Sequence, residues 1–317
     1  MATSPTNLSE KHNTQDVKVE NVDSLPQDVK ADEEDFQFTF GKALATFSFF
    51  LGYLADVFSL TLASAILTTI NSDIGPSPEY AWIITSRLIV IAVMSPMVGR
   101  LSNIFGRRWC FLIGGVLGVV GSAISAAGQD INTLIGGGVI LGLSASMHQL
   151  AWAALGEIVP KKTRPLAFGF MQTGLAVAAG FSAPISNALV IHTGTWRYAY
   201  WLPLIVNGLA FVLVFFFYRP MNQYIREEGK TQWQQCADLD WLGFFLLTAG
   251  LTLFLLGITF GGHGFPWVSA GPISMIVIGF LTLVVLGVYE AYHPMLFPIF
   301  PPEIFRNVRG FTVVKVG

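Results

Sequence analysis

Apolar residues in this chain come in long runs broken by short polar or glycine- and proline-rich segments, not in strict alternation or in a narrow amphipathic stripe. A bilayer core of about 30 Å needs about twenty apolar helical residues to cross it. Eight windows meet that length, at 44–66, 80–99, 109–128, 131–156, 165–191, 197–218, 241–261 and 270–292. Many of the breaks carry helix-stopping Gly, Pro or Asn: NSDIGPSP after the first window, GQD after the third, HTGT after the fifth and GGHGFPWVS after the seventh. The pattern predicts an all-α polytopic membrane protein with eight transmembrane helices. It divides the chain into a disordered tail over 1–41, a six-helix bundle over 42–218, a linker over 219–240, two further helices over 241–292, and a last segment over 293–317.

Composition supports lipid as the solvent. Charged residues make up 12% and hydrophobic residues 53%, whereas a soluble domain carries about 25% charged residues. So large an apolar excess has no polar shell to cover it in water. A formal net charge of -2 argues against nucleic acid as a partner. No HExxH, GxSxG or CxxC occurs, and the five histidines are scattered at 12, 148, 192, 263 and 293. No catalytic residue, cofactor or protein-held metal is therefore expected. Cys110 and Cys236 suggest no disulfide framework.

Basic residues set the expected orientation. Arg100, Arg107 and Arg108 follow window two; Lys161, Lys162 and Arg164 follow window four; Arg219, Arg226 and Lys230 follow window six; Arg306, Arg309 and Lys315 lie after window eight. The alternate connections hold only Arg197. Excess Lys and Arg marks the cytoplasmic side, so both termini are predicted to be cytosolic. Within the windows, Gly114 and Gly118, and Gly138 and Gly142, are spaced by four, which lets helix backbones approach closely in lipid. The rival reading, a phosphate loop, lacks both GxGxxG and GxxxxGK[ST].

The stretch GRLSNIFGRRW, Gly99 to Trp109, puts three arginines and two glycines between two apolar windows. It reads as a short cytoplasmic turn in which Gly99 and Gly106 permit close approach or positive φ, while Arg100, Arg107 and Arg108 face water and anionic headgroups. The spacing resembles the G-x-L-x-D-x-x-G-R-[KR] signature of the major facilitator superfamily, standing here as Gly99, Leu101, Asn103, Gly106, Arg107 and Arg108. The resemblance implies a cytoplasmic gate built from the motif's aspartate, its later arginine and an acidic residue at the end of helix four. Arg107 and Glu157 match two of these, and Asn103 replaces the aspartate with a group that cannot carry charge. Through WRYAYWLPLIVNGLAFVLVFFFY, LDWLGFFLLTAGLTLFLLGITFGG and a Pro-rich stretch ending in IFRN, nearly everything after residue 44 resembles the fungal fourteen-helix facilitators that include trichothecene efflux pumps and siderophore-iron transporters, and by that resemblance a ninth helix would begin at the closing FTVVKVG. That resemblance implies two six-helix halves with two helices inserted between them, of which this chain would hold the first half and the inserted pair. It also leads one to look for Gly-Pro on helix five, where Ala183-Pro184 stands, and for an arginine on helix four, where Gly138 is the best match. Pro184 is expected to kink its helix by removing a backbone donor.

Two charges lie inside windows. Asp56 is twelve residues from Leu44 and Arg87 twelve from Gly99, which puts both about 18 Å from the same membrane boundary at 1.5 Å per residue. Each charge costs roughly 2.5–3.5 kcal/mol at a helix centre, so a shared depth suggests pairing or a shared wet cavity. The pair could simply orient helices one and two, or Asp56 could respond to protons or substrate. His148, which titrates near neutral pH, and Tyr53, on the Asp56 face of its helix together with Ser59, are further candidates for the cavity. Each could equally just pack.

These observations lead to an expected transporter of small organic molecules with alternating access. By resemblance it would export toxins or drugs or import ferric siderophore, with protons as a possible coupling partner. It would be integral to the plasma membrane or an endomembrane, with lipid around it. A rival expectation is a truncated, nontransporting fragment, or a half-transporter that needs self-association or another partner.

Overall fold

The computed structural model describes residues 40–160, 162–218, 232–237, 239–261, 266, 267 and 269–292. The tail and the closing segment that the sequence suggests, and most of the linker, lie outside the described residues. The described chain is all α. Its helices are α1 (Phe40–Ala65), α2 (Leu67–Ile74), α3 (Trp82–Phe105), α4 (Arg107–Ala127), α5 (Ile131–His148), α6 (Leu150–Ile158), α7 (Arg164–Thr193), α8 (Tyr198–Phe217), α9 (Gln232–Ala237), α10 (Trp241–Phe260) and α11 (Ala270–Tyr292). Among the described residues, eight spans are long and apolar enough to cross a membrane: Ala43–Ala65, Trp82–Phe105, Arg107–Ala127, Ile131–Ile158, Arg164–Thr193, Tyr198–Phe217, Trp241–Phe260 and Ala270–Glu290. They coincide with the eight apolar windows, and the chain is an integral, multi-pass membrane protein.

One boundary differs from the sequence reading. The stretch Gly99 to Trp109 is not an open turn, because α3 continues to Phe105 and α4 begins at Arg107. Gly99 is an ordinary helical residue with open space where a side chain would go. The reversal falls on Gly106 alone, at φ 91° and ψ 145°, a region closed to residues with a Cβ. Nothing between Gly99 and Gly106 breaks a helix, so α3 runs on until the residue whose backbone can turn.

Other ends have local causes. Asp130 caps α5 by accepting from the Thr133 amide at 2.6 Å, a bond that holds its carboxyl below the ordinary carboxylate range. Asp240 caps α10 in the same way, from the Gly243 amide at 2.7 Å. Pro165 sits in the first turn of α7, where a missing N–H is harmless.

The fourth span, formed by α5 and α6, is the most buried, at 61% of its apolar window, against 17% for the second and eighth spans. It therefore forms the centre of the packing, and the others lie around it. Two apolar layers enclose it. Leu62, Ile70, Ile83, Leu134, Leu141 and Trp196 cluster towards one end; Phe49, Phe111, Ala154, Met171, Val214 and Tyr218 cluster towards the other. The small residues expected to bring helices close do so between α3 and α5. A Cβ on Gly138 would lie 2.7 Å from the Ile83 carbonyl oxygen, and one on Gly142 would lie 2.8 Å from the Arg87 carbonyl oxygen. Outward faces remain apolar, with Leu166 and Phe170 on α7 each 77% exposed, as a lipid-facing or partner-facing surface requires. α10 and α11 pack against one another, and α10 touches α3, where the Phe260 and Trp82 rings stand 4.8 Å apart.

Candidate functional site

Between the two apolar layers lies a buried polar layer contributed by α1, α3 and α5. Asp56 is 3% exposed, Arg87 2% and His148 0%. The His148 Nδ1 stands 2.5 Å from Asp56 Oδ2. Arg87 approaches from the other side: its Nη1 donates to Ser59 Oγ at 2.7 Å, its Nη2 donates to the Asp56 carbonyl at 2.8 Å, and Nη2 is 3.7 Å from Asp56 Oδ1. Ser144, one helical turn before His148, donates to Asp56 Oδ1 at 3.3 Å. Three ionisable groups are thus held together at the middle of the bundle, where each alone would be costly.

Helical periodicity explains the assembly. Asp56 and Ser59 are three apart on α1, and Ser144 and His148 four apart on α5, so each helix presents two polar groups on one face. Glycines let the helices close around them: a Cβ on Gly52 or Gly114 would meet Phe111 or Met147 at under 3.0 Å, with His148 just beyond. The Phe111 ring lies 4.4 Å from the imidazole and covers it. His148 Nε2 is buried with no hydrogen-bond partner among the described residues.

Tyr53 belongs elsewhere. Its ring makes an edge contact with Trp152 at 5.9 Å, and Trp152 makes another with Phe168 at 5.7 Å. Tyr53 therefore joins a half-buried aromatic row shared by α1, α6 and α7, separate from the Asp56 layer. His148 is the last residue of α5 before the chain breaks at Gln149, and Ser95, beside Pro96 on α3, donates to Gln149 Oε1 at 3.0 Å.

At one end of the bundle the motif residues gather. Arg107 Nη2 lies 2.6 Å from Glu157 Oε1, and Arg108 Nη2 donates to the Phe215 carbonyl at 2.7 Å. Arg100 lies on the last turns of α3, and Asn103 is exposed. Pro184 lies inside α7 and is exposed; the seam with α1 is made on the other side of the helix, where Ser182 pairs with Thr61 at 2.6 Å and Ser186 donates to the Leu62 carbonyl at 2.9 Å. Gly138 leaves no room for a side chain beneath Ile83, so the arginine sought on helix four has no place in this packing.

The opposite end is tied by the lone basic residue of its connections. Arg197 lies 4.6 Å over the Trp196 ring and donates to the Gly128 carbonyl at 3.1 Å, while Trp196 Nε1 donates to Asp73 Oδ2 at 2.7 Å. Ser144 escaped the sequence reading, although its spacing of four from His148 would have identified it. So did Asn207, a fully buried amide inside the otherwise apolar α8; a lone Asn in such a run is itself a signal.

Comparison with known proteins accords with this architecture. Residues 24–316 match the family described as Fungal trichothecene efflux pump (TRI12). The chain is 33% identical over 275 residues to the trichothecene efflux pump TRI12 of Trichoderma arundinaceum, covering 84% of this chain and 45% of that protein. It is 30% identical over 279 residues to the protein of the same name in Fusarium sporotrichioides, covering 87% and 46%. An acurin A biosynthesis cluster MFS-type transporter of Aspergillus aculeatus is 33% identical over 254 residues, covering 80% and 45%. The chain thus spans less than half the length of these relatives. A bundle of apolar spans around a buried charged layer, with a basic hairpin at one end, is in this chain that of a member of the fungal trichothecene efflux pump (TRI12) family.

Proposed function

We propose that this chain forms one half of an alternating-access transporter that exports small organic molecules and uses the Asp56–His148 pair as its proton site. The observation that carries the reading is the burial of an acid, an imidazole and a guanidinium in one layer at mid-span. Protonation there changes the charge of the layer where no water screens it. With the carboxylate ionised, Arg87 and His148 hold α1, α3 and α5 together. A proton on Asp56 weakens both contacts and favours a different packing.

The relatives are named as efflux pumps and MFS-type transporters, which supports export over siderophore uptake. The aromatic row of Tyr53, Trp152 and Phe168 suits an apolar, ring-containing substrate. Arg107 and Glu157 close the end that carries the basic connections. That end is cytosolic by the excess of Lys and Arg, and the plasma membrane is the proposed location. Rocking about a midplane site needs a second half, supplied by further chain or by another copy. The exposed apolar face of α7 is where it would pack.

The test is uptake of a labelled trichothecene into proteoliposomes under an imposed pH gradient, comparing the parent chain with Asp56→Asn and His148→Gln. Accumulation that depends on the gradient in the parent and not in the variants is expected. Equal accumulation by parent and variants at every pH between about 5 and 8 would sink the proton role. No binding of the labelled compound by any form would sink the transporter reading.

A further inference from the structure

Asn207, at the middle of α8, is completely buried, and neither its Oδ1 nor its Nδ2 has a hydrogen-bond partner among the described residues. Buried amides are nearly always paired, so this one calls for an explanation. Its Oδ1 lies 2.7 Å from the point a Cβ on Gly118 would occupy, and the Ser144 Oγ lies 2.8 Å from that same point. The amide and the hydroxyl are therefore both packed directly against the bare backbone of α4 at Gly118. Ser144 is also the hydroxyl that donates to Asp56 Oδ1 at 3.3 Å and stands 3.4 Å from His148 Nδ1. Both distances are long for a hydroxyl, whose bonds cluster at about 2.7–2.8 Å. Ser144 thus sits between the acid–imidazole pair and the unpaired amide of Asn207.

We propose that Asn207 is a positioning residue of the buried acid–imidazole pair, acting through the Ser144 hydroxyl where both side chains pack against Gly118. The proposal rests on reading that pair as a proton site. A serine hydroxyl has one proton and two acceptor lone pairs. When Ser144 accepts from Asn207, directly or through one water, its own proton stays on Asp56, and bonds in such a chain strengthen one another. A carboxylate so compensated draws less on the imidazolium. Without Asn207 that compensation weakens, and His148 gives up its proton at a higher pH.

The charged group facing the pair is Arg87 from α3, with Tyr200 of α8 acting on Arg87 in turn. α1 adds Tyr53, which points into the aromatic row, and Lys42, about four helical turns from Asp56 in sequence; α4 carries Arg107, Arg108 and Cys110, and α7 carries Arg164 and His192, all near helix ends. Arg100 on α3 and Glu157 on α6 belong to the basic end. None of these substitutes for Asn207 beside Ser144.

The experiment is a pH titration of the His148 imidazole by nitrogen NMR, on the full chain labelled at histidine in lipid nanodiscs, with His148→Gln identifying the signal. Asn207→Ala should raise the midpoint by about 0.5–1 pH unit. Ser144→Ala should raise it similarly, and Asn207→Ala should then add less than about 0.2 unit, because the path is already cut. Asn207→Leu, close to asparagine in shape, serves if the alanine variant does not fold. An unmoved midpoint in the Asn207 variants, or a full shift that persists without Ser144, would overturn the inference and leave the proton site standing. A His148 that never titrates between about pH 4 and 9 would remove both.

Discussion

A single methyl group at Gly142 should separate α3 from α5, whereas the same change six residues earlier, at Gly136, should not. A Cβ on Gly142 would stand 2.8 Å from the Arg87 carbonyl oxygen, 2.8 Å from Val90 Cβ and 3.0 Å from Val90 Cγ1. Two of those atoms belong to, or lie next to, backbone and cannot swing aside, so the helices themselves must move. Overpacking of this kind costs about 1–3 kcal/mol. Alanine recovers about 0.5–1 kcal/mol of helix propensity relative to glycine, which leaves a net loss of about 0–2.5 kcal/mol. At Gly136 nothing lies within 4 Å of the added carbon, so Gly136→Ala should be neutral or should gain up to about 1 kcal/mol. Heating the detergent-solubilised protein and following the monodisperse fraction by size exclusion reads both effects. Gly142→Ala should melt a few degrees below the parent, and Gly136→Ala at or above it. The reasoning fails if the two variants melt alike. The site is exposed to the same strain, because α3 carries Arg87 and α5 carries His148, so Gly142→Ala should also weaken whatever depends on their spacing.

Two other outcomes follow from the ends of the bundle. Arg107 and Glu157 are 19% and 44% exposed, so their pair is solvent-screened and Glu157→Gln should cost under about 1 kcal/mol of stability. If the pair closes the gate, transport lost in Arg107→Glu should return in the charge-swapped Arg107→Glu/Glu157→Arg protein, measured in the same vesicles, and no recovery would argue against it. At the opposite end, the Thr133 amide holds the Asp130 carboxyl below its ordinary range, so its cap stabilises the fold above the unfolded carboxylate value of about 3.9 and loses that contribution as pH falls through the lower folded value. Asp130→Ala should therefore melt below the parent at neutral pH, with the gap narrowing under strongly acidic conditions; a gap independent of pH would refute the charged cap.

The eight spans were legible in the chain because lipid imposes a length and a composition on each helix separately, and neither depends on neighbours. The grouping of Asp56 with Arg87 was also legible, since both count twelve residues from a shared boundary and a charge at that depth needs a partner. Arg107 and Glu157 were nameable from the spacing of a hairpin motif. The extent of α3 was not, because the residue that ends it is decided by which of two glycines takes the positive φ, and both permit it.

What tertiary structure alone decided is which side chains share a face across helices. Tyr53 and Ser59 are equally spaced from Asp56, yet packing sends Tyr53 to Trp152 and Ser59 to Arg87. His148 reaches Asp56 across ninety-two residues, through rotations of α1 and α5 that no local pattern encodes. The apolar runs determine that helices exist and which stretches they cover; the bare backbones at Gly118, Gly138 and Gly142 determine how near they come, and hydrogen bonds between buried polar groups reach only as far as that closeness allows.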